Sequence, residues 1–189
     1  REICCDPRLV VDNWTGSSAK LEACLELVTE AVAGGHRILL FSQFTSMLEL
    51  LAKRLDEAGV SHFTLQGSTP KPVRAEQVRR FNQGEADVFL ISLRAGGTGL
   101  NLTAADIVIH YDPWWNLAAQ NQATDRAYRI GQRNPVQVYR LIAQDTIEEK
   151  IVELQQAKQS LADTVTGGAD GAILSMNPEQ LLQLLGEEA

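Results

Sequence analysis

The stretch QNQATDRAYRIGQR, residues 120–133, sets Arg126 and Arg129 three positions apart on a helical pattern that Gly131 then interrupts. At that spacing two guanidiniums leave nearly one face of a helix, and Gln122 stands one turn earlier on the same face. A planar fork of donors suits bidentate contact with phosphate. In phosphoryl transfer one positioned arginine contributes roughly 10³ to 10⁵ in rate, on the order of 4 to 7 kcal/mol of barrier. The same arginines would also favour the negative end of their own helix dipole, by about 0.3 to 1 kcal/mol each. Spacing alone leaves both roles open.

A second stretch with chemical content is SLRAGGTGLNL, residues 92–102, in which Gly96, Gly97 and Gly99 crowd four positions. Backbone without Cβ atoms either approaches a phosphate closely or makes a tight turn. A dinucleotide fingerprint would need a glycine where Leu102 stands, so hydride transfer is disfavoured. Paired on one sheet edge, a glycine loop and two arginines on a neighbouring strand's helix fit a phosphoryl-transfer site.

These residues need a scaffold that brings loops together. Short apolar runs at 37–42 (RILLFS), 61–65 (SHFTL), 87–92 (DVFLIS), 106–111 (DIVIHY) and 136–142 (VQVYRLI) read as strands. Helical patterns fall between them. Leu48, Leu51 and Leu55 mark a helix over 45–58 that Gly59 stops, Val73, Val78 and Phe81 mark one over 71–83, and Asn116 opens one over 116–129. The alternation predicts an α/β sandwich of three layers around a mainly parallel sheet. Ligands of such sheets bind beyond the carboxyl ends of the strands, where both stretches lie. After the sheet, Asp145 three residues before Glu148 reads as a capping box for a helix over 145–163 that packs back on the core. Residues 164–189 read as a loose tail with a short helix at PEQLLQLL.

The totals narrow the partners. With 24 acidic and 17 basic residues the net charge is −7, so any contact with a polyanion must be local rather than a matter of bulk charge. Cys4, Cys5 and Cys24 have no zinc-like spacing and suit a reducing compartment, and His36, His62 and His110 stand apart, so no metal site is expected. No apolar run approaches the roughly 20 residues of a spanning helix. The chain opens on Arg1 in mid-pattern, as an excised piece of a longer protein would.

LLFSQF, LQGST, SLRAGGTGLNLTAAD, WWN and QATDRAYRIGQ occur in order and at fitting distances. Together they resemble motifs IV, IVa, V and VI of the SNF-type DNA-dependent ATPases of helicase superfamily two. The resemblance covers about residues 1–168 and implies the second, C-terminal RecA-like lobe, with residues 1–19 as lead-in and 20–144 as the lobe. It implies that Arg126 and Arg129 are arginine fingers reaching ATP held by the N-terminal RecA-like lobe of the same polypeptide, with Gln122 beside them. Gly97, Gly99 and Asn101 match the turn that links nucleotide to DNA. Ser42, Gln43, Gly67, Ser68 and Arg94 match positions approaching the phosphates of double-stranded DNA, and Trp115 matches a tryptophan near the groove. The sequence departs from the family at Leu117, where a proline is usual.

ATP and Mg²⁺ are the implied cofactors. The sequence has no GxxxxGK[ST] loop and no DExH-like pair, so their main ligands are expected on the first lobe, and the isolated chain is expected to be inactive. The implied setting is the bacterial nucleoid, or the nucleus in a eukaryote, with the bacterial branch favoured and a DNA-bound protein such as RNA polymerase as a possible cargo. A catalytically inactive docking module of the same fold, and an RNA-directed lobe of the same superfamily, are the competing expectations.

Overall fold

The structure, a computed structural model, describes residues 1–93, 95, 100–125, 127 and 135–166, with side chains as far as residue 160. Contacts divide the chain into two units, Arg1–Val152 and Glu153–Ala189. The first holds the sheet.

Its five strands are β1 (Ile38–Ser42), β2 (His62–Leu65), β3 (Val88–Ser92), β4 (Ile107–His110) and β5 (Gln137–Arg140). They pair in the order β2-β3-β1-β4-β5, every pair parallel. The three central strands, ILLFS, VFLIS and IVIH, are buried at every residue, because helices cover both faces and leave no side for polar alternation. β5 lies at one edge and is the exposed strand of the set, with Val138 37% exposed.

Of the helices α1 (Glu2–Cys5), α2 (Ala19–Ala33), α3 (Thr45–Glu57), α4 (Lys71–Asn82), α5 (Leu117–Thr124) and α6 (Ile147–Thr166), α2 and α3 cover one face and α4 and α5 the other. Leu40, Leu90 and Ile109 pack with Leu21, Val28, Leu48 and Leu51 on the first face. Leu39, Phe41, Phe89 and Val108 pack with Phe81 and Ala123 on the second. Alternating strand residues thus feed two cores, as a pleated strand dictates. Gly59 (φ +69°) and Gly84 (φ +87°) turn the chain out of α3 and α4 in the left-handed region that a side chain resists.

Several boundaries depart from the sequence expectation. α2, which the motif pattern did not mark, runs 15 residues from the Ser18 cap, whose Oγ accepts from Leu21 N–H at 3.4 Å. α5 stops at Thr124, Asp125 being its C-cap, rather than running to 129. α6 begins one residue later than its capping box implied. Asp145 takes φ +56° and Thr146 Oγ1 accepts from Glu148 N–H at 3.1 Å, while Glu149 returns to Asp145 N–H at 2.8 Å. That shift frees Glu148 for a buried partner, Lys20. The two stretches in question are also not on adjacent strands: β1 stands between β3 and β4, the central place suiting a strand with apolar side chains on both faces.

The lead-in is part of the fold. Cys5 is fully buried and its carbonyl accepts from the Tyr111 hydroxyl at 2.9 Å, and Cys24 is buried in the same cluster. Burial pushes the Cys24 thiol up to about 12, so it is unreactive at neutral pH. Cys4 is half-buried. The tail helix expected at PEQLLQLL lies outside the described residues.

Candidate nucleotide and DNA interface

The chain leaves β1 toward β2 on one side and leaves β4 toward β5 on the other. Their connections also run to opposite faces, so the crevice where a doubly wound sheet takes its ligand opens between the carboxyl ends of β1 and β4. Ser42 and Gln43 end the first strand. Tyr111, Asp112 and Pro113 follow the second.

The floor of the crevice is taken up by the chain's own side chains. Asp112 is 1% exposed and its carboxylate accepts from Ser42 Oγ at 2.5 Å, from Gln43 Nε2 at 2.5 Å and from Gln43 N–H at 3.3 Å to each oxygen. Burial raises its pKa, and the Ser42 and Gln43 hydrogen bonds oppose that rise by favouring the anion. Ser42 is fully buried, with its one proton on Asp112 and its oxygen accepting from Phe44 N–H at 3.2 Å. It presents no donor to a phosphate. Gln43, half-buried, also donates to the Pro113 carbonyl at 3.4 Å.

Gly67, Ser68 and Trp115 follow strand carboxyl ends, at the same end of the sheet as this crevice, whereas Asn101 lies by the C-terminal end of α4, toward the amino ends of the strands. Gly67 and Ser68 are exposed in the turn after β2, closed by Gln66 N–H to Thr69 Oγ1 at 3.0 Å and Thr69 N–H to the Gln66 carbonyl at 3.1 Å. Trp115 is 46% exposed with the Arg1 guanidinium 5.5 Å above its ring, and Arg1 Nη2 donates to the Pro113 carbonyl at 2.7 Å. Asn116 caps α5 as expected, its side chain accepting from Ala119 N–H at 3.2 Å despite Leu117 in the next position. Asn101 is exposed in the loop after β3, and its carbonyl accepts from Asn82 at 2.8 Å.

Gln122 is exposed on α5, whereas Gln120 is buried and accepts from Trp114 N–H at 3.2 Å. Gln120 was not marked by its sequence spacing, although a polar residue among alanines is a signal of an internal partner. Arg94, Gly97, Gly99, Arg126 and Arg129 lie outside the described residues. Their flanks do not: Leu93, Ala95, Leu100 and Leu102 around the glycine loop share one apolar cluster with Ala123 and Ala127 around the first arginine. Both segments are therefore anchored on the same face of the sheet.

His110 fixes the end of α5. It is 1% exposed, stacks on Phe41 at 5.5 Å, and bonds through Nε2 to Thr124 Oγ1 at 2.9 Å. Thr124 donates onward to the Gln120 carbonyl at 3.2 Å, so its oxygen accepts from Nε2–H, and Nδ1 is buried without a partner for a second proton. Burial, with Arg140 adding to it, pushes the His110 pKa from 6.5 down to about 4. The folded state then binds fewer protons than the unfolded chain below about pH 6.5. Stability from this group is complete above that value and is lost as pH falls toward 4, by on the order of 3 kcal/mol. Urea midpoints taken at about pH 7 and about pH 4 should show the loss, and His110→Gln should flatten it; a flat wild-type profile would contradict a neutral buried imidazole.

Among the described residues no group of three His, Cys, Asp or Glu side chains could hold a metal ion, and no helix is long and apolar enough to cross a membrane.

A family model described as the helicase conserved C-terminal domain matches residues 19–131, which include the glycine loop and the arginine string. An uncharacterized ATP-dependent helicase of Mycoplasma pneumoniae is 43% identical over 169 residues, which is 89% of this chain and 16% of that protein. The putative ATP-dependent helicase/translocase YwqA of Bacillus subtilis is 41% identical over 190 residues, 97% of this chain and 20% of its own. The chromatin-remodeling ATPase INO80 of Aspergillus terreus is 46% identical over 168 residues, 88% of this chain and 10% of its own. The chain thus spans between 10% and 20% of the length of these relatives. In the crystal structure of the C-terminal part of the Fun30 ATPase domain, the likeness has a TM-score of 0.70 at 33% identity, covering 81% of this chain and 52% of that one. The shared fold is the parallel, helix-covered sheet described above, and the chain belongs to the helicase conserved C-terminal domain family, as the RecA-like second lobe of an SNF-type ATPase.

Proposed function

We propose that this chain is the second lobe of an ATP-dependent motor that tracks double-stranded DNA. Residues 20–144 form the lobe and 145–163 the helix that follows it in the chain. The nucleotide binds chiefly to the N-terminal RecA-like lobe of the same polypeptide, which also supplies the Mg²⁺ ligands. Arg126 and Arg129 reach that nucleotide as arginine fingers with Gln122 beside them, and Gly97, Gly99 and Asn101 couple it to the DNA. Gln43, Gly67, Ser68, Arg94 and Trp115 face the DNA backbone. Ser42 serves that surface through its hydrogen bond to Asp112.

The observation that supports this most is the joint anchoring of the glycine-loop flanks and the end of α5 in one apolar cluster on the face beside the crevice. Two loops fixed to one rigid wall can meet a triphosphate offered from a second lobe without reorganising. The chain as a whole, at net charge −7, has no bulk attraction for DNA. Contact must then come from a few donors, mostly to phosphates, and carries no base sequence directly.

The test is ATP turnover by a two-lobe protein with duplex DNA, single-stranded DNA and RNA. Duplex should stimulate most, the log of affinity should fall with log salt by about 0.9 per phosphate neutralised, and the isolated chain should not turn over ATP. RNA stimulation above that by duplex would favour the RNA-directed reading. Absence of stimulation by any nucleic acid would favour the inactive docking module. The cargo moved along DNA, such as a DNA-bound polymerase, and the bacterial or nuclear setting follow from the rest of the polypeptide.

A further inference from the structure

Asp112 is a carboxylate placed where it should do harm. It lies at the end of β4, one residue from Pro113 and three from the exposed Trp115, on the side of the lobe proposed above to face DNA phosphates. A negative charge there repels the polyanion, and its own burial disfavours the charge. What it gains is a set of donors from the opposite loop: the Ser42 hydroxyl, the Gln43 backbone and the Gln43 side chain, 69 and 70 residues away in sequence. With Nε2 divided between Asp112 and the Pro113 carbonyl, the Gln43 side chain is held in one orientation.

We propose that Asp112 is a positioning residue: its carboxylate occupies the crevice in which a doubly wound sheet otherwise holds an anionic ligand, and clamps the β1–α3 turn to the Pro113–Trp115 segment so that both present one fixed edge to the DNA backbone. This rests on the translocase reading. Two loops that would each lose freedom on contact are ordered beforehand, and preorganisation lowers the cost of binding. Asp112 touches no substrate; it acts through Gln43 and Ser42. Asp112 and its partners take up the floor of the crevice between β1 and β4, so the phosphate-facing parts of this lobe are the loops at its rim.

The sign of one substitution separates positioning from charge. Asp112→Asn removes a negative charge near DNA, which by electrostatics alone strengthens binding and steepens nothing else. It also leaves one acceptor oxygen where Ser42, the Gln43 backbone and the Gln43 amide had two, and turns the other position into a donor, which weakens the clamp. In the full-length protein carrying this lobe, anisotropy with a fluorescein-labelled duplex should show about tenfold weaker binding for Asp112→Asn, and half-maximal ATPase stimulation should move to higher DNA by the same factor with a smaller change in maximal turnover. Adding Gln43→Glu restores a donor–acceptor pair with the polarity reversed and should recover most of the affinity, although it places a negative charge nearer the DNA. Equal or tighter binding by Asp112→Asn, or no recovery in the double variant, overturns the positioning role. Should Asp112→Asn fail to fold by thermal melting, Ser42→Ala removes one of the donors and should weaken DNA binding severalfold; unchanged affinity overturns the proposal. A wild-type protein whose ATPase ignores duplex DNA overturns the translocase reading itself, and with it this inference.

Discussion

Replacing Arg129 with alanine in a two-lobe protein is expected to cut DNA-stimulated ATP turnover by about 10³- to 10⁵-fold, equivalent to roughly 4 to 7 kcal/mol of barrier. The loss should fall on kcat, because the γ-phosphoryl oxygens gather charge as the bond to the leaving oxygen loosens, and a guanidinium stabilises that charge more than it stabilises bound ATP. DNA affinity without nucleotide should change little, since the residue is assigned to the nucleotide side of the lobe. Arg129→Lys should recover only a small part, as a single ammonium cannot reproduce the planar fork. Arg126→Ala should act in the same direction. If the two residues act as a unit, the double variant will fall hardly further than either single one. Single-turnover hydrolysis with saturating duplex separates the chemical step from product release. Near-normal turnover by Arg129→Ala would remove the residue from the catalytic role.

What the sequence made legible was whatever depends on neighbours in the chain. The five strands were readable because apolar runs such as ILLFS and VFLIS are bounded by turn residues, and each appears within a residue or two of its expected place. α3 followed from the spacing of Leu48, Leu51 and Leu55, all three buried. α2 carried an equally clear signal in Leu21, Leu25, Val28 and Ala31, behind a serine cap. It contains no motif residue, which is why a reading led by chemistry passed over it. The strand order was not legible, because β1, β3 and β4 are equally apolar and equally buried, and propensity does not say which of them takes the centre. The role of Asp112 on the crevice floor was out of reach for the same reason. Ser42 at the end of a strand is chemically able to bind a phosphate, and only the fold reveals that Asp112, 70 residues on, has already taken its proton. Buried polar groups find their partners through topology, so their roles are the last thing a linear pattern gives up.

Lys20→Met should unfold the lobe more readily than a lost surface charge would, by about 3 to 5 kcal/mol. Lys20 Nζ lies 2.8 and 2.6 Å from the two oxygens of Glu148, with 8% and 2% of the respective side chains exposed. The ammonium also sits 5.2 Å from the centre of the Tyr111 ring. Glu148 is held further by Ala143 N–H at 2.8 Å. One pair therefore ties the start of α2 to the first turn of α6, beside the buried Tyr111 ring. A methionine fills the volume of the lysine stem but leaves Glu148 charged and without its counterion, and an unpaired buried charge costs far more than the pair gains by existing. The double variant Lys20→Met/Glu148→Leu removes both charges and should regain most of the loss, or exceed wild type, because two desolvation penalties disappear with the attraction. Urea unfolding of the four proteins gives the coupling directly as a double-mutant cycle. If Lys20→Met costs under about 1 kcal/mol, the value typical of exposed pairs, the pair is solvated in solution and α6 is held by Ile151 and its neighbours rather than by charge.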